Sequence, residues 1–232
     1  MSDNMHVNEG KSETIEVDGK LYRRFGIRTQ VITNKDDICS VAKQYAEPLL
    51  EENDVLFISE KMVACTQSRA IMLSDIHPRP LAIFLSKHVY KNPGGIGLAM
   101  PETMEMALRE CGVLRILFAA VCSVVGKLFG QRGWFYIVAG RKAASIDGPC
   151  HYTLPPYNKY VVLGPDKPNA TAKKVSSALG GKLVLIVDIN DLGGNILGAS
   201  HDIDRDLYIR ILRDNPLGQG SQCTPMGIIR NA

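Results

Sequence analysis

The chain has 232 residues, 45% of them hydrophobic and 22% charged, with a formal net charge of +3. That balance excludes a disordered chain and supports a sizeable core, in one large domain or two small ones. The charge is weak, basic residues are interspersed with acids, and only Tyr22-Arg23-Arg24 forms a short basic cluster, so nucleic acid is excluded as the expected partner.

From Met1 to Gly19 the sequence is polar and lacks the basic start and apolar stretch of a signal peptide. It predicts a flexible tail over 1–19, a single domain over 20–232 and a cytoplasmic location. Tyr22 to Ile32 is rich in β formers and predicts a strand. Asp36 and Asp37 cap a helix predicted from Ile38 to about Leu50, with Val41, Ala42, Tyr45, Ala46 and Leu49 on its apolar face. Val55 to Ile58 predicts a buried strand, and Ser59 to Arg69 a loop after it, where ligand-binding groups usually sit.

Leu81 to Val89 predicts a helix, Asn92 to Gly97 a loop, and Pro101 opens a helix that Gly112 stops. Leu114 to Phe129 predicts a second, more buried helix. Its run Ile116 to Val125 is about half the roughly 20 apolar residues that a membrane span needs, so a core helix is expected rather than a span, with Leu114 to Ala139 as an apolar platform on a membrane surface the less favoured alternative. Trp134 to Ala139 predicts a strand, Ala143 to Asp147 leads into a Gly148-Pro149 turn, and Tyr160 to Leu163 is a short strand. A helix from Asn169 to about Gly180 precedes Leu183 to Val187, the clearest buried strand. Asp188 to Asp191 closes it and Gly193-Gly194-Asn195 turns away. A helix over Asp202 to Arg213 and a terminal strand over Met226 to Ile229 follow. Alternating strands and helices give a mixed α/β fold class.

The segment LVLIVDINDLGGN carries the sharpest chemistry. A carboxylate at the carboxyl end of an apolar strand is costly to desolvate unless it is paired or holds a metal. Asp188 and Asn190, two apart, face the same side of a strand, and Asp191 lies where the chain leaves it. Oxygen ligands of this kind suit Mg²⁺ or Mn²⁺; a backbone-capping turn uses the same residues. Asp147, in ASIDGP, is either a second acid of this kind or a plain Asp-Gly turn. Lys61 and Gln67 follow the strand Val55 to Ile58, and a lysine there meets a phosphate as a point charge or stays solvated. No complete G-x-G-x-x-G, P-loop, H-E-x-x-H or G-x-S-x-G pattern occurs, and the six cysteines form no C-x-x-C pair, which predicts reduced, buried thiols. His151 and His201 lie near the two acidic segments.

The order of segments resembles the coenzyme F420-0:γ-glutamyl ligase family from about Tyr22 to Arg230. KDDI at Lys35 to Ile38 resembles that family's GDDL start. ENDVLFISEKMVACTQSR resembles its G-D-V-L-V-I-S-x-K-x-V-S-K-x-E-G-R segment, ASIDGP its G-V-D, LGPDKPNATAKKV its L-P-x-D-P-x-A-S-A, and LVLIVD its apolar strand ending in S-D. The resemblance implies a single ligase-like domain of mixed sheets with packed helices, working as a homodimer. It implies that GTP (or ATP) and Mg²⁺ or Mn²⁺ serve to join L-glutamate, or a similar amine, to the carboxylate of a small phosphorylated molecule through an acyl-phosphate. Asp147 and Asp188 match the family's acidic metal positions and Lys61 its loop lysine; Asn190 and Asp191 complete the expected metal set from strand geometry, and Ser59, Lys61, Gln67 and Asp191 the expected nucleotide contacts. Two motifs depart from the family. Its D-x-S-N is here Asp147-Gly148-Pro149-Cys150, and its D-T-F-G-R-P-W-R is here DINDLGGN, without arginines. Loss of guanidinium groups from a phosphate clamp is not neutral, and it motivates the alternative of a non-catalytic nucleotide- and metal-binding regulatory protein on the same fold.

Overall fold

A computed structural model describes residues 4–89, 97–131, 133–150, 153–191 and 193–232; His151 and most of the predicted loop Asn92 to Gly97 lie outside them. In chain order the elements are strands β1 (Met5–His6), β2 (Thr14–Val17) and β3 (Lys20–Ile27), helix α1 (Ile38–Tyr45), β4 (Val55–Ser59), α2 (Glu60–Thr66), β5 (Ala70–Met72), α3 (Pro80–Ser86), α4 (Pro101–Cys111), α5 (Val113–Leu128), α6 (Trp134–Ala139), α7 (Arg141–Ala144), β6 (Tyr160–Val162), α8 (Pro168–Ala178), β7 (Leu183–Asn190), β8 (Gly193–Ala199), α9 (Arg205–Ile211) and β9 (Met226–Asn231). The mixed α/β class is as predicted. The chain divides into two compact units, Met1–Ser68 with Pro165–Ala232, and Arg69–Gly164, where a sequence with no internal repeat and no linker led to one domain over 20–232.

The first unit is built on a seven-stranded sheet in the order β1-β3-β9-β4-β7-β8, with β2 also on β3. Only β4 and β7 run parallel; every other pairing is antiparallel. Alternation along each strand supplies two apolar faces. Phe25, Leu56, Ile58, Val184, Ile186 and Ile228 pack with α1 and α8, while Phe57, Leu185, Val187 and Ile229 pack with Ile211 and Leu212 at α9. Buried ion pairs tie this unit together. Asp54, just before β4, accepts from Nε and one terminal nitrogen of the Arg230 guanidinium from β9, at 2.9 and 2.6 Å. Arg24, 1% exposed, reaches the Asp214 carboxylate and the backbone carbonyls of Ser12 and Ile211.

The predicted tail over 1–19 is a correction. Ile15 and Val17 are buried and Thr14 to Val17 pairs with β3 in the register Val17↔Lys20. Asp18 and Gly19, both at positive φ (53° and 73°), make the tight turn between them, which is the backbone that an Asp-Gly hairpin requires.

The second unit pairs β5 with β6 and extends that ribbon by a bridge from Asp147 to Val162, with backbone bonds of 2.9 Å each way. Helices α3 to α7 gather Leu98, Met104, Leu108, Ile116, Ala119 and Ile146 into one core. Glu105 of α4, 1% exposed, accepts from the guanidinium groups of Arg79 and Arg109 at 2.8 Å each and from the Arg79 backbone N–H. Burial pushes the Glu105 carboxyl up, but the two arginines outweigh it and bring it down to about 2.

Two predictions are corrected here, one in type and one in burial. Trp134 to Ala139, expected as a strand, is helical. Among the described residues no strand pairs with it, and Trp134 instead lies against Gly126 of α5, where a Cβ would approach the indole to 3.0 Å. Leu114 to Phe129, expected as a core helix, buries Ile116, Ala119 and Gly126 but presents eight large apolar side chains to solvent. Among the described residues no single helix is long and apolar enough to cross a membrane; α4 and α5 pass that test only jointly, and they meet at 116°.

Candidate functional site

The parallel pair β4 and β7 sets the site. Ser59 lies in register with Val187, so the carboxyl ends of two adjacent parallel strands open on the same edge, the place where α/β sheets usually bind ligands. The expected loop after β4 is instead helix α2. The Ser59 hydroxyl accepts from the Lys61 N–H at 3.3 Å and caps it. Glu60 then stands in the first turn, where the helix dipole favours an anion, and Met62 to Cys65 pack inward. Lys61 is on the exposed side of the same turn.

Strand β7 runs three residues past its predicted end and returns as a hairpin through β8, with Asp188 opposite Asn195 and Asn190 opposite Gly193. Asp188 and Asn190 share the face of Val184 and Ile186, and both are half-buried. A register shift between Ile186 and Val187 marks where β8 bulges beside this end. The start of α8 crosses β8 closely: a Cβ on Gly198 would lie 2.4 Å from the Pro168 backbone, and the Asn169 side chain accepts from the Ala199 N–H at 3.0 Å.

The structure sorts the predicted residues. Ser59, Lys61, Asp188 and Asn190 belong to the end of the β4–β7 pair in the first unit. Asp191 turns away, its carboxylate held by Lys11 at 2.7 Å with Asn215 at 3.4 Å; an acid neutralised by an ammonium is a poor further cation ligand. The Gln67 carboxamide is engaged at both ends, accepting from the Asp166 N–H at 2.7 Å and donating to the Asp166 carbonyl at 3.0 Å and to Thr171 at 3.3 Å. That bracket joins the end of α2 to the approach to α8 and gives Gln67 a structural role. Asp147 belongs to the second unit, on its bridge to Val162. Among the described residues no three or more His, Cys, Asp or Glu side chains cluster as a metal site. One carboxylate and one amide oxygen on β7 nevertheless fit Mg²⁺ or Mn²⁺ in phosphoryl chemistry, where the ion keeps waters and substrate phosphate oxygens as its other ligands. Buried Glu60, one residue beyond the Ser59–Val187 register as Asp188 is, was not singled out from the sequence; a Glu after a buried strand was the available signal. Burial pushes the Cys39, Cys111 and Cys223 thiols up, as expected of thiols that are not nucleophiles.

The model of the family described as F420-0:γ-glutamyl ligase matches residues 26–196. The chain belongs to this family. The match begins in β3, ends in β8, and includes both strands that present the site. Strand β9, which lies between β3 and β4 in the sheet, follows the matched region. No curated protein matches the chain. Membership in a γ-glutamyl ligase family supports a ligase role.

Proposed function

We propose that the protein is a metal- and nucleotide-dependent amide ligase that joins L-glutamate, or a similar amine, to a carboxylate of a phosphorylated small molecule. The family match over residues 26–196 carries this reading, and the oxygen donors at the end of β7 support it. Asp188 and Asn190 would hold Mg²⁺ or Mn²⁺, which when bound neutralises phosphate charge. Lys61, on the first turn of α2, would meet a phosphate of GTP or ATP; Asp147 matches the family's other acidic motif in sequence. The γ-phosphoryl group passes to the substrate carboxylate; the amine then attacks that carbonyl and releases inorganic phosphate. A cytoplasmic homodimer is the accompanying expectation.

The test is calorimetry of the Mn²⁺-loaded protein with GTP and with ATP, followed by phosphate release in the presence of L-glutamate and candidate acids. Nucleotide binding in the micromolar range is expected, and Asp188→Asn lowers phosphate release by about 10²-fold or more. Failure of the metal-loaded protein to bind either nucleotide sinks the proposal. One observation favours a second reading, a non-catalytic regulatory protein on the same fold: DINDLGGN lacks the arginines of the family's corresponding motif. Nucleotide binding without turnover over a broad panel of acids and amines selects it.

A further inference from the structure

The seven exposed side chains of α5 are Leu114, Leu117, Phe118, Val121, Val124, Val125 and Leu128. At about 100° per residue they fill an arc of about 120° on one side of the helix, opposite Ile116, Ala119 and Gly126. Their exposure is large: 84% for Leu114, 63% for Phe118, 60% for Val121 and 80% for Leu128. Phe129 in the following turn and Ile137 on α6 are each 75% exposed. A contiguous apolar stripe of this size on a water-facing helix marks an interaction surface.

The charges around the stripe identify what covers it. Val113 to Ala144 holds Arg115, Lys127, Arg132, Arg141 and Lys142, and none of the chain's 24 acidic residues. On the wheel of α5, Arg115 and Lys127 stand on opposite flanks, each about 60° beyond an edge of the apolar arc. Arg115 donates its Nε–H to the Val138 carbonyl at 2.9 Å, whereas a long basic side chain placed as Lys127 is runs its stem along the apolar face while its head reaches outward to phosphates. Two copies meeting through this face would bring two all-basic rims together, at an electrostatic cost. An anionic lipid surface supplies both the apolar layer and the compensating charge. The helix, 16 residues and about 24 Å long, is suited to lying in the plane of a bilayer rather than to crossing it.

We infer that α5 is an interfacial anchor: its apolar stripe inserts into the headgroup boundary of a bilayer rich in anionic phospholipid, with Lys127 on the lipid phosphates. This takes up the less favoured of the two sequence readings of the segment, a surface platform, over the core helix. It is independent of the ligase reading, because no residue of the β4–β7 edge takes part.

The test is cosedimentation of the full chain with vesicles of phosphatidylcholine alone and of phosphatidylcholine with phosphatidylglycerol, at low and high salt. Expected is binding at least about tenfold tighter to the anionic vesicles, weakened by salt. The double substitution F118D/V121D abolishes binding, Leu128→Glu weakens it at least about tenfold, and Lys127→Ala weakens it about fivefold. All three keep the wild-type far-UV spectrum and denaturation midpoint. Absence of binding to either vesicle, or equal binding to both, overturns the inference. A wild-type chain that binds no vesicle and forms a dimer that F118D/V121D reduces to monomer overturns it as well and makes the stripe a contact between copies.

Discussion

The two units solve the same problem differently. In the first, a seven-stranded sheet has two apolar faces, and α1 with α8 covers one while α9 with the β2–β3 hairpin closes the other. In the second, a two-stranded ribbon cannot organise five helices, and a helix has apolar side chains around more than one arc. Core demand is met by one arc of α5; the opposite arc remains in water. A sheet distributes side chains strictly to two faces, so covering both is enough, whereas an apolar helix needs neighbours all round. The site follows the same division. The candidate site residues sit where the sheet has parallel strand ends, and the exposed apolar stripe sits on the helix that is left over.

The comparison can be broken by substitution, and the largest effect belongs to the second unit. Glu105→Ala leaves Arg79 and Arg109 without their shared acid and, with the contacts the side chain makes in the core, destabilises the protein by about 2–4 kcal/mol in urea denaturation. A loss under about 1 kcal/mol would show that this unit does not depend on the clamp. Next come the two faces of α5: Ile116→Ala costs about 2–4 kcal/mol through the cavity it leaves, while Val121→Asp shifts stability by less than about 0.5 kcal/mol. Comparable losses at both positions would mean that the outer face is packed in solution.

Acid titration sharpens the contrast. The folded Glu105 carboxyl is brought down to about 2 from 4.5, so its contribution is fully present above pH 4.5 and fades as pH falls from there towards 2. Because both arginines are 43% exposed and therefore screened, that contribution is about 2 kcal/mol. The stability gap between wild type and Glu105→Gln should shrink over this pH window, and a gap that is constant from pH 5 to pH 2.5 contradicts the assignment. The smallest effect is expected in the first unit. Lys11→Ala breaks a pair whose acid, Asp191, is 53% exposed and costs under about 1 kcal/mol. If Asp191 is freed by that change to join a cation site, Mn²⁺ affinity rises in Lys11→Ala; unchanged affinity keeps Asp191 out of the metal set.

Local signals in the chain were strong where apolar periodicity and punctuation agreed. Pro101 and Gly112 bounded α4 to the residue, and LVLIV marked the buried length of β7. The Asp18-Gly19 turn between Thr14 to Val17 and β3 was also legible, through alternation and a hairpin dipeptide, although the polar surroundings pointed to a tail. WFYIVA and SEKMVACT were not legible, since intrinsic preference favoured a strand in one and gave little direction in the other. Packing on Gly126 and the Ser59 cap decided them.

For the site, spacing placed Asp188 and Asn190 on one face of one strand, and the order of motifs resembled the ligase family to which the chain belongs. No local pattern could reveal that Lys11, 180 residues away in sequence, holds Asp191, or that Asp166 occupies both ends of Gln67. By itself the sequence determined the fold class, the family, the buried strands and the acids at their ends, because burial and period are properties of neighbouring residues. Tertiary structure alone decided the pairing of β4 with β7, the loss of Asp191 and Gln67 to internal partners, and which face of α5 meets water. Each of those depends on contacts between segments far apart in the chain, and hydropathy measured along the chain carries no direction in space.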